Sequence, residues 1–175
     1  MRVLDRIYAL LSKAAAVISW VSYTAVTAAA LLTVADVIMR KLFASSIFGA
    51  YELMELLMSC TVFASFAYTQ TKKGHIRVSM FIKKMSRVPA MVIYSLNEVL
   101  SFAIAAAVTY AAYRQIAYSV GKGLVTANLF IPLYPFYIVE CVCMGLFAVL
   151  LLCDAAYSII GIFNRDVSDR VLSEI

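Results

Sequence analysis

KKGHIRVSMFIKKMSR, Lys72–Arg87, divides this 175-residue chain into two apolar halves and holds six of its fifteen lysines and arginines. Each half contains two runs long enough to cross a bilayer. Basic residues are retained on the cytoplasmic side of a membrane, so this one loop predicts the orientation of everything around it. Composition agrees. The chain is 64% hydrophobic and 14% charged, with a mean hydropathy of +0.91, too few charges to solvate a water-soluble domain of this length. The net charge of +5 does not point to nucleic acid. The cations cluster between apolar runs, where the cytoplasm and anionic lipid account for them.

Outward from the loop, the pattern predicts an all-α membrane protein with four transmembrane helices at about 14–39, 53–71, 89–113 and 129–153. Residues 1–13 read as an interfacial amphipathic helix, with Val3, Leu4, Ile7, Leu10 and Leu11 on one face and Arg2, Asp5, Arg6 and Lys13 elsewhere. The uncharged run Ala14–Ala35 spans about 33 Å as helix. It continues past the small-residue stretch Ala28–Ala30, which argues for an uncleaved first span over a signal peptide. The second span, Leu56–Thr71, is short and is completed by Leu53–Glu55 as an interfacial turn. A further amphipathic piece, with Val78, Phe81, Ile82, Met85 and Val88 apolar, is expected to lie flat before Pro89 opens the third span. In that span Ala103, Ala107 and Ala111 form a small-residue stripe suited to close helix packing. Arg114–Asn128 is expected as a loop, Pro132 and Pro135 enter the fourth span, and 164–175 is expected as a tail. The amino terminus, the central region and the tail carry three, six and two cations. The other two loops carry two each: Arg40 and Lys41, then Arg114 and Lys122. That bias predicts both termini in the cytoplasm.

Glu98 and Glu140 are the acids expected inside spans, each roughly 14 Å from its own helix start and near mid-bilayer depth. Three roles compete: neutral hydrogen bonding to neighbours such as Asn97 or Ser101, coupling to an ion or proton, or pairing with a cation on a partner membrane protein. No Lys or Arg lies at matching depth, which disfavours an internal ion pair. Asp36 and Arg40 stand four apart on one helical face. With Glu52 and Glu55 at the next helix start, they read as a charge network holding that hairpin or as a docking patch. His75, beside Gly74 and near Arg77, reads as a loop or lipid-headgroup contact. A single histidine cannot supply paired haem ligands. Cys60, Cys141, Cys143 and Cys153 all lie in apolar runs and read as core residues. No nucleophile–base pair, cofactor cradle or metal-ligand spacing appears, so the reading is non-enzymatic, with no cofactor.

Read together, ADVIMRKLF at Ala35–Phe43, GAYELMELLM at Gly49–Met58, YTQTKKGHIRVSMF at Tyr68–Phe81 and IPLYPFY at Ile131–Tyr137 resemble the small, DctQ-like membrane subunit of tripartite ATP-independent periplasmic (TRAP) transporters. One departure is Ser79, where that family often has an acid. The resemblance implies a multi-pass protein of the bacterial cell inner membrane that acts as a scaffold. Its implied partners are a large DctM-like membrane subunit and a periplasmic solute-binding protein, in sodium-coupled uptake of an organic acid such as a carboxylate. The rival reading is an autonomous small proton-coupled transporter or exporter using Glu98 or Glu140.

Overall fold

The computed structural model describes residues 2–72 and 86–163. The expected amphipathic piece between the second and third spans, the tail 164–175, and Gly74, His75 and Arg77 lie outside the described residues. Four helices make up the described chain: α1 (Arg2–Phe43), α2 (Ala50–Thr71), α3 (Arg87–Lys122) and α4 (Tyr134–Phe163). Each is long and apolar enough to cross a membrane, and the all-α, four-span architecture expected from the sequence is the observed one.

The helices extend beyond the expected spans for local reasons. Nothing in Arg2–Phe43 interrupts a helix: it has neither glycine nor proline and is rich in alanine. The amphipathic segment 1–13 is therefore not a separate element, because its described residues belong to the same 42-residue helix as the first span. In the same way α3 continues past Tyr113, through residues expected in a loop, and stops only at Gly123. There φ is +61°, and Leu124 N–H donates to Ser119 O at 3.0 Å and Gly123 N–H to Val120 O at 3.3 Å. This left-handed glycine cap satisfies the last carbonyls. The fourth helix begins at Tyr134, not Leu129. Before it, Thr126 N–H donates to Ile131 O and Leu133 N–H to Leu124 O, closing a small antiparallel loop with a bridge between Val125 and Pro132. Pro135 then falls in the first turn, where its missing N–H costs nothing.

Packing places the helices in the order α1, α2, α4, α3. The α1–α2 and α3–α4 hairpins are each closely packed, α2 lies along α4, and α1 touches α4 only slightly. Ser22 Oγ donates to Thr61 O at 2.9 Å across the first hairpin. In the second, Cys141 Sγ lies 3.8 Å from Thr109 O. Along α3 the buried seam repeats every seven residues, through Met91, Glu98, Ala105, Ala112 and Ser119, the spacing of left-handed helix pairs. Ala103, Ala107 and Ala111 fall off this seam and are exposed. Among the described residues that stripe stays uncovered. Ala105, Met144, Ala148 and Leu151 form one core with Phe66 and Phe147 around it, and Ala15, Ala67 and Leu150 form another.

The row leaves broad apolar faces uncovered. Trp20, Leu31, Leu96 and Leu100 are all 60% or more exposed, a surface suited to lipid or to another membrane protein. The row also has two distinct ends. The turn 44–49 and the loop 123–133 close one end, while the start of α1, the end of α2, the start of α3 and the end of α4 lie at the other.

Candidate functional site

At the closed end, two connections interlock. Asp36, fully buried on α1, pairs with Arg40 one turn later and also accepts the Ile47 backbone N–H at 2.8 Å. Arg40 Nη1 in turn donates to Tyr51 Oη at 3.0 Å, and the guanidinium lies 5.5 Å from that ring's centre. The Asp36–Arg40 pair expected from spacing is present, and its main work is holding the turn into α2.

Glu52 does not join that network. Its Oε1 accepts both the backbone N–H and the side-chain amide of Asn128, at 2.7 and 2.6 Å, and its Oε2 accepts Leu129 N–H at 3.0 Å. The carboxylate thus fastens the first hairpin to the loop of the second. Sequence spacing could not show this, because the partners lie 76 and 77 residues away. Gly49 is the steric half of the same lock. It has φ +72°, and a Cβ there would fall 2.4 Å from Leu129 Cγ, so only glycine suits both the backbone and the approach.

Glu55 is exposed, one turn past Glu52. It borders a cleft of about 300 Å³ between α2 and the start of α4, lined also by Leu56, Ser59, Thr126, Leu133, Phe136 and Tyr137.

Asp36→Ala should lower the thermal unfolding midpoint in detergent micelles, because it removes both the Arg40 pair and the acceptor of Ile47 N–H. Asp36→Asn keeps an acceptor for Ile47 and should lose less. Equal midpoints for Ala, Asn and wild type would refute the role given to Asp36.

The opposite half of the molecule holds a second polar contact. Gln70 Nε2 on α2 donates to Asp154 Oδ2 on α4 at 2.6 Å, and both residues are buried. Neither stands out in the sequence: the fourth span expected at 129–153 stops one residue short of Asp154. It is instead inside α4. The signal that could have found it is its seven-residue spacing from Phe147, and fourteen from Glu140, on one helical face.

Glu98 is buried, with only 1% of its surface exposed. Its depth differs from that of Glu140. Thr109 on α3 lies against Cys141 and Gly145 on α4. Glu98 is eleven residues before Thr109 in an antiparallel pair, which puts it level with Asp154. Glu140 is fourteen residues from Asp154 along α4, roughly 21 Å at the helical rise. The two glutamates therefore do not share a mid-depth level: Glu98 lies toward the open end and Glu140 toward the closed end.

Fold and site together define a class: a multi-pass helical membrane protein whose polar side chains fasten helices and connections to one another. A family model described as "Tripartite ATP-independent periplasmic transporters, DctQ component" matches residues 29–160. The chain belongs to that family and is a small membrane component of a TRAP transporter. The matched region takes in the closed-end lock, the cleft and the Gln70–Asp154 contact. No curated protein matches the chain.

Proposed function

We propose that this chain is the non-catalytic scaffold subunit of a TRAP-type importer in the bacterial inner membrane. It pairs there with a large DctM-like subunit that handles the solute, and a periplasmic binding protein delivers an organic acid for sodium-coupled uptake. In this reading both termini are cytoplasmic and the closed end faces the periplasm, as the excess of cations near the termini and in the central loop favours. The single observation that carries the proposal is the open row. Four membrane helices in which α3 packs substantially on α4 alone enclose little space for a solute and expose wide faces to a neighbour.

The test is reconstitution. Proteoliposomes holding this chain, the large subunit and the binding protein should take up an organic acid under an inward sodium gradient. Omitting any one protein should abolish uptake, and transport by this chain alone would reverse the conclusion. Orientation is checked separately with Ser46→Cys, an exposed closed-end position. A membrane-impermeant maleimide should label it from the periplasmic side, and labelling only from the cytoplasmic side would invert the topology.

A further inference from the structure

The cleft between α2 and α4 has features that the lock beside it does not explain. Its walls are largely apolar, formed by Leu56, Leu133, Phe136 and Tyr137, with Ser59 and Glu55 on the α2 side. Glu140 lies one turn beyond Phe136 on the same face of α4. That face continues through Phe147, against Phe66, and Asp154, against Gln70. The two helices run parallel in this register, so the Gln70–Asp154 and Phe66–Phe147 contacts place Glu140 level with residues 56–59 of α2. Glu55, on the α2 wall of the cleft, and Glu140, one turn past its Phe136 wall, therefore stand within about a turn of each other in depth.

Both sit inside helices long and apolar enough to cross a membrane. Among the described residues, neither carboxylate has an ion-pair or hydrogen-bond partner. Of the cations at this end, Arg40 is taken up by Asp36 and Tyr51, and among the described residues neither Lys41 nor Lys122 forms an ion pair with Glu55 or Glu140. Two acids at the edge of an apolar groove, with no cation of their own, make a surface complementary to a positively charged side chain on an apolar helix.

The geometry points to this groove as the docking site for a transmembrane helix of the large subunit, one that carries a lysine or arginine at the depth of Glu55 and Glu140. The inference rests on the proposed pairing with that subunit and names the face and the chemistry through which it occurs. Apolar side chains of the incoming helix pack on Leu56, Phe136 and Tyr137, and its cation lies between the two carboxylates. Glu52 takes no part, because its oxygens are already held by Asn128 and Leu129.

The test uses the complete two-subunit complex. With a photo-reactive amino acid at Ser59, the chain should crosslink to the large subunit, while the same group at exposed Ala103 on the outer edge of α3 serves as the comparison. The double variant Glu55→Gln/Glu140→Gln should reduce recovery of the large subunit on co-purification by about tenfold or more. Its thermal midpoint as an isolated subunit should stay within error of wild type, which separates docking from folding. Glu140→Lys should abolish recovery, and exchanging the partner's cation for glutamate should restore it. Crosslinking from Ser59 to lipid alone would overturn the inference, as would full recovery of the large subunit by the double variant. So would intact assembly with selective loss of sodium- or proton-driven uptake, which would assign the acids to ion coupling. If the wild-type chain failed to recover the large subunit at all, the scaffold reading itself would fall. Recovery by wild type and double variant alike would remove only this docking site.

Discussion

Gly49→Ala is expected to destabilise the protein by about 2–4 kcal/mol, from two costs that act at one atom. The first is conformational: φ is +72° at this position, a region that costs a residue with a Cβ about 1 kcal/mol or more. The second is steric. The added methyl would lie 2.4 to 2.7 Å from three side-chain carbons of Leu129, and with its backbone N–H bonded to Glu52, Leu129 can make room only by turning its side chain to another rotamer. Overpacking of this kind costs about 1–3 kcal/mol. The two costs can be separated by experiment. Leu129→Ala in the Gly49→Ala background should recover the steric part and leave the backbone part. Thermal unfolding in micelles, read by size-exclusion recovery after heating, gives the ranking. A Gly49→Ala protein as stable as wild type would show that the two connections do not meet as described.

Gln70→Leu is expected to cost about 2 kcal/mol, the scale of a buried hydrogen bond to a carboxyl group. The loss arises because Asp154, only 5% exposed, would lose the amide that donates to it at 2.6 Å. Asp154→Leu should cost a similar amount by leaving the Gln70 amide without that acceptor. The double variant Gln70→Leu/Asp154→Leu should be markedly less destabilised than the sum of the singles, since removing both leaves neither side chain without the other. Strict additivity would show that the two side chains are not coupled. The contact also has a positional role. It fixes the register of α2 against α4, the one extensive contact joining the two hairpins, and therefore the shape of the cleft at the other end.

Much of the architecture was legible because membrane helices announce themselves by long apolar runs. All four appear where such runs occur, and Asp36 with Arg40 was readable from a spacing of four. The ends were less legible. The boundary near Tyr113 was misplaced because Arg114 looked like the edge of a span, whereas helix propensity carries α3 on to Gly123. Asp154 was misread for the same reason in reverse: a charge after an apolar run looks like exit from the membrane. The alanine stripe at 103, 107 and 111 was a sound packing signal that none of the four described helices uses. A seven-residue seam through Ala105 and Ala112 serves α4 instead.

What the sequence determined by itself is the class of molecule: four bilayer-length helices, and motifs whose order points to the DctQ family. These follow from composition and local spacing, which act within a few turns of chain. The tertiary structure alone decided that Glu52 grips a loop 76 residues away, that Gly49 makes room for Leu129, that Gln70 meets Asp154, and that Glu98 and Glu140 belong to different ends. Each of these depends on the register between helices distant in sequence, and register is set by how small residues and side-chain bonds mesh across a seam. No single helix carries that information.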